Sequence, residues 1–212
     1  MNWDKLLFWR KPPIADAQAL ADFIDLQSAF LVQKGIHEYA RARSGHYAKV
    51  LFSEDWFIQA LERARWSAFP LGLAMVGEAV DVLLRSSPGF QATHREKLNA
   101  LVLSVLDRYP RPEVLEEGEW KEARLELGQR MQLIGLHPPK RIIDIPDPYA
   151  RRYWDMMPIH KSIRTPDFPT TRSYLKVVLC NIHDELAQRM DAPTLVDELM
   201  QLPQPRVSVG KT

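Results

Sequence analysis

Residues 68–81 read AFPLGLAMVGEAVD. The first ten carry no polar side chain, and Glu78 and Asp81 follow directly. An uninterrupted run of ten is half of the ~20 apolar residues that a membrane helix needs. It also lacks the period-two alternation of a half-buried strand. Upstream, Phe57, Leu61 and Ala64 lead into Ala68, Leu71 and Met75 at helical spacing. A helix that is apolar on every side must be enclosed by other helices. The run therefore predicts the central helix of an all-α bundle. Ser53 is its expected N-cap, with Glu54 and Asp55 in the first turn. Leu84 is its expected end, and Pro70 an expected kink.

The same period recurs on both sides. Residues 14–43 carry Leu20, Phe23, Ile24, Phe30 and Leu31 on a wide stripe, with Gly45 as the stop. Thr93 and Glu96 form a capping-box pattern ahead of Leu98, Leu101, Val102, Val105 and Leu106, and Pro110 closes that helix. A glutamate-rich helix is expected over 113–134, with Trp120, Leu127, Met131 and Ile134 inward. Another is expected from Thr170 or Thr171 to about Met190. Pro193 suits the first turn of a short last helix reaching about Gln201. The expectation is a bundle of five or six main helices. Residues 1–13 read as a short amphipathic arm, 14–201 as one helical domain and 202–212 as a flexible tail.

Composition narrows the function classes. A 212-residue chain with a net charge of +1 is not a strongly basic protein with global affinity for nucleic acid. With one cysteine, no internal disulfide can form, which suits a cytoplasmic setting. Residues 1–13 lack the pattern of a cleaved signal, since their apolar run is only Leu6 to Trp9. Contact with a membrane is expected to be peripheral at most, through residues 3–11.

No motif for cofactor or metal chemistry survives inspection, and neither is expected. The six histidines form no metal-binding spacing. The terminal Gly210-Lys211-Thr212 lacks the upstream glycine and following helix of a phosphate loop. Cys180, His183 and Asp184 share a helical face, but a small buried cysteine explains that pattern. Glu78 and Asp81 share the face of the apolar helix and require cations. Arg41, Arg43, Arg63 or Arg65 is the expected partner if the acid is buried; alternatively Glu78 stands at the edge of the core and Asp81 bonds to Arg85 at i+4.

Residues 135–169 have no sustained period, and 146–169 hold five prolines and four bulky aromatics. Such a segment is too aromatic for disorder and too long for a passive loop. It is expected to wrap across the bundle, with two helical turns between Pro148 and Pro158. Tyr149, Arg151, Arg152, Tyr153, Trp154 and His160 are its partner-contact candidates, because Tyr, Trp and Arg dominate binding hot spots. The leading functional expectation is a non-catalytic intracellular protein that binds another macromolecule, with a protein as partner or a second copy in a homo-oligomer. The alternative is a helical-bundle enzyme or small-ligand binder. Its pocket would lie between helices 14–43 and 54–85, with His37, His46, Glu78 and Asp81 as polar groups.

Overall fold

A computed structural model describes residues 11–201, and every structural statement below concerns those residues. The expected arm, apart from its last three residues, and the 202–212 tail lie outside them. The chain is all-α. The main helices are α1 (Ala17–Ser44), α3 (Asp55–Arg85), α4 (Ala92–Asp107), α5 (Glu117–Ile134) and α8 (Phe168–Arg189). Between them come the short α2 (Ala48–Leu51), α6 (Asp147–Asp155) and α7 (Lys161–Arg164), and α9 (Ala192–Gln201) follows α8. The only strand-like pairing among the described residues is one isolated bridge, where the Ile14 amide donates to Arg189 and the Asp191 amide to Ile14. It ties the entry of α1 to the end of α8.

α3 is the centre, as the apolar run requires. Every residue from Ala68 to Asp81 is buried, and the helix continues through Pro70. By length and composition α3 could also cross a membrane, a reading the uninterrupted run of ten did not suggest. However, 83% of its apolar window is buried against the other helices. A core helix of a soluble protein passes the same test.

α1 packs antiparallel to α3. Near one end, the Phe52 ring meets Phe57 edge-on and lies tilted against His37; further along, Gly72 faces the Ser28 carbonyl. A β-carbon at Gly72 would lie 2.8 Å from that oxygen, so glycine sets how closely the two helices approach. α5 closes over α3 and α4, with Met131 and Val102 against Gly77.

Two details of the caps differ from expectation. Thr93 does not cap α4. Gln91 does, its backbone N–H donating to Nδ1 of His94 at 2.9 Å in a capping box. α3 starts at Asp55 behind Glu54 rather than at Ser53, whose hydroxyl donates back to the Val50 carbonyl instead.

Candidate functional site

The segment expected to wrap the bundle is pinned by its aromatics. α6 forms between the prolines, with Pro148 in its first turn, where a missing N–H costs nothing. Tyr149, Tyr153 and Trp154 all turn inward and are buried. The Tyr153 hydroxyl donates to the Val32 carbonyl of α1 at 2.9 Å, and Tyr174 of α8 donates to Leu31 beside it. Both rings depend on Gly35. A β-carbon there would stand 2.3 Å from the Tyr153 oxygen and 2.5 Å from the Tyr174 ring. Trp154 meets Tyr39 and Phe168 edge-on. From α1, Arg43 pairs with Asp167 at 2.9 Å and reaches the Ile163 carbonyl, and Tyr39 donates to Asp167. Burial first, then the Asp167 carboxylate, pushes the Tyr39 hydroxyl up to about 12.

This placement corrects half of the contact expectation. Tyr149, Tyr153 and Trp154 are core, because an aromatic side chain gains more by filling the space over α1 and α8 than by facing water. Arg152 is half-buried and pairs with Glu126 of α5. Arg151 is exposed and lies over the Phe168 ring at 4.1 Å. His160 is exposed, its Nδ1 2.8 Å from the Ser162 hydroxyl.

The ligand-pocket quartet is separated. Glu78 and Asp81 are buried on α3, whereas His37 and His46 are exposed at the opposite end, beside Phe52 and the C-terminus of α1. Phe57 marks that end on α3, and at ~1.5 Å of rise per residue it stands roughly 30 Å from Glu78. The antiparallel α1–α3 pairing makes this unavoidable.

Glu78 and Asp81 instead anchor a buried ionic cluster. The counter-ion of Glu78 is Lys140, at 2.8 Å, and none of the four arginines expected. Those arginines sit nearer the far end of α3 or on α1; Lys140 arrives from the aperiodic loop after α5. Asp81 pairs with Arg85 at 2.6 Å, as the i,i+4 spacing predicts, and with Arg95 of α4 at 3.5 Å. Arg85 also donates to the carbonyls of Ile134 and His137, both at 2.6 Å, which supplies the last turn of α5 with donors. Tyr149 faces the same cluster. Burial, then the Glu78 carboxylate, pushes its hydroxyl up to about 12, while Arg130 lies over its ring at 5.1 Å. With each acid facing a cation, the arrangement fastens α3 to α4, α5 and the crossing segment.

Cys180 is half-buried, and burial, then Asp184, pushes its thiol up. That is the opposite of an activated thiolate.

In the sequence, Tyr47 belongs with His37, Arg41, Arg43, His46 and Lys49 to a cationic cluster that suits a helix C-terminus, but that cluster gives no signal of the aromatic surface that Val50 and Trp56 complete at the α1–α3 corner. Tyr47 is 74% exposed, Val50 57% and Trp56 61%, all within ten residues around α2. Trp56 could have been noticed, because it falls one residue off the buried stripe of Phe57, Leu61 and Ala64. His37, Arg41, His46 and Lys49 are exposed on the same stretch. Comparison with protein-family profiles, curated proteins and solved structures finds no match for the chain.

Proposed function

We propose that the protein is a non-catalytic helical module that binds another protein, with the corner formed by Tyr47, Val50 and Trp56 as the contact. The observation that carries this reading is the exposure of Tyr47 and Trp56 on either side of α2, where α1 connects to α3. Phe30 on α1 is the other exposed large aromatic of the described chain, at 44%, and the rest lie wholly or partly inside the fold. Exposed Trp and Tyr are the side chains that contribute most when an interface covers them. The cations around the corner supply a polar rim.

The ligand-binding alternative draws no support from the geometry. Its four polar groups do not converge, and its acids face Lys140, Arg85 and Arg95.

The test is a double variant, Tyr47→Ser with Trp56→Ser, against the control Val177→Ser, an exposed apolar position on α8. Sedimentation velocity asks first whether the partner is a second copy; cross-linking from position 56 in host extract then captures a heterologous one. The reading predicts that the double variant loses the association while keeping its melting temperature, and that the control keeps both. Association unchanged in the double variant contradicts it.

A further inference from the structure

α5 has two faces free of charge. Leu127, Met131 and Ile134 fill the inner one. On the opposite side, Leu125, Gln129, Gln132 and Leu136 follow at i, i+4, i+7 and i+11, which places them on one outward stripe. Leu136 lies just past the helix, and its amide donates to the Leu133 carbonyl at 3.0 Å, so the stripe runs on into the closing turn. Leu125 is 62% exposed, Leu136 81%, and Leu133 beside them 59%. Both glutamines are exposed. The outward face of a surface helix normally carries its charges. Here the charged residues of the same turns are spent on the flanks. Arg124 pairs with Asp107 of α4, Glu126 with Arg152 of α6, and Arg130 lies over the Tyr149 ring.

The stripe also reads the same in both directions. Its order is leucine, three residues, glutamine, two residues, glutamine, three residues, leucine, with the midpoint between Arg130 and Met131. A second copy laid antiparallel about that midpoint sets Leu125 against the partner's Leu136, and Gln129 against the partner's Gln132. Two-fold symmetry then makes each contact twice. A glutamine amide both donates and accepts, so the facing amides satisfy each other. A register one turn away sets glutamine against leucine and strands the amides, which is how a polar pair in a seam fixes one alignment. Charge along the axis selects the same orientation. Glu116, Glu117, Glu119 and Glu122 crowd the start of α5, and Lys140 and Arg141 follow its end. Antiparallel copies bring the acidic start of one to the cationic exit of the other, whereas parallel copies set like beside like.

We infer that the outward stripe of α5 is a self-complementary seam on which a second copy of this chain docks antiparallel. One helix face falls short of the roughly 800 Å² per partner of a standard interface, so the dimer is weak and transient. The seam is separate from the Tyr47–Trp56 corner. At the low micromolar concentrations that suffice to test the corner, so weak a dimer stays dissociated, and either reading can fail without the other.

Cross-linking of the full chain tests the register. Leu125→Cys and Leu136→Cys, each carrying Cys180→Ser, are treated with a short bis-maleimide separately and as a mixture. Facing positions are within its reach, whereas two copies of position 125 stand about 16 Å apart along the axis, at ~1.5 Å of rise per residue. The mixture is expected to give several times the cross-linked dimer of either variant alone. No dimer in the mixture, or equal yields in all three samples, overturns the inference. Sedimentation velocity from about 10 μM to about 1 mM spans the range of a small transient interface. The wild type is expected to pass from monomer to dimer. Gln129→Glu with Gln132→Glu places four carboxylates at the midpoint on exposed positions, so the transition should move up by at least about tenfold in concentration while the melting temperature stays. Tyr47→Ser with Trp56→Ser should keep the wild-type transition. A wild type that stays monomeric throughout, or a glutamate variant that associates like the wild type, overturns the seam. So does loss of the dimer in the Tyr47, Trp56 variant, which places self-association at the corner.

Discussion

The two halves of the Glu78–Lys140 pair are expected to respond unequally to removal. The Glu78 carboxylate is 1% exposed and fixed on the central helix, whereas the Lys140 side chain is 33% exposed at the end of a loop. In Lys140→Met the carboxylate keeps its burial and loses its cation. Breaking a buried pair in this way costs about 3–5 kcal/mol. Arg130 and the Tyr149 hydroxyl remain on that side of the cluster, so the low end, about 3 kcal/mol, is expected. In Glu78→Leu the lysine is the group left over, and its flexible stem lets the ammonium turn into water. A leucine of similar size joins an apolar helix, and the cost is about 1 kcal/mol or less. The double variant should then return to within ~1 kcal/mol of the wild type, because neither charge is stranded. Urea unfolding followed by circular dichroism at pH 7 measures all four proteins. Equal losses for the two single changes, or a larger loss for Glu78→Leu, would refute the reasoning that the ability to reach water decides the cost.

Other expectations follow from the same contacts. Gly35→Ala should destabilise by about 1–3 kcal/mol through overpacking against the Tyr153 and Tyr174 rings. Adding Tyr153→Phe, which alone costs about 1 kcal/mol for the lost hydrogen bond, should recover part of that loss in a thermal melt. Trp154→Ala should cost about 3–5 kcal/mol as a core truncation, whereas Trp56→Ala should stay within ~0.5 kcal/mol. Asp147 of α6 is held at about 2, below its ordinary 3.8, chiefly by the Arg172 hydrogen bond and then by Lys176. Its folded value lies below its unfolded one, so its contribution is present above pH 4 and disappears as pH falls through about 2. Because the pair is partly exposed, Asp147→Asn should cost only about 1 kcal/mol at pH 7. The gap from wild type should close in denaturant titrations between about pH 4 and pH 2.

The helices that were legible are those whose inner faces repeat every 3.6 residues. Leu20, Ile24 and Leu31, or Leu98, Leu101 and Val105, announce both the helix and the face it buries. The all-round apolarity of 68–77 announced the centre. The crossing segment was legible only in part. Its aromatics showed that it must pack, but Tyr and Trp serve cores and interfaces alike, so residue type could not say that Tyr153 would reach the Val32 carbonyl. The space for that ring is made by Gly35, more than a hundred residues away. Counter-ions across the chain were illegible for a similar reason. Asp81 and Arg85 are paired by helix geometry alone, whereas Lys140 reaches Glu78 through the path of a loop with no period. Trp56 is hidden in the pattern because it sits beside Phe57, which opens the buried stripe through Leu61 and Ala64. The burial of Arg164 had no sequence signal at all, since a buried arginine looks like any other.

Which aromatics face inward decides whether the proposed contact lies on the 146–169 segment or at the α1–α3 corner. Hydroxyl-radical footprinting with mass-spectrometric readout compares them within one sample. The structure predicts fast oxidation of Tyr47 and Trp56, and protection of Tyr149, Tyr153 and Trp154 until the protein unfolds. Oxidation of Trp154 and Tyr153 as fast as that of Trp56 in the folded protein would contradict it and return the contact surface to the crossing segment.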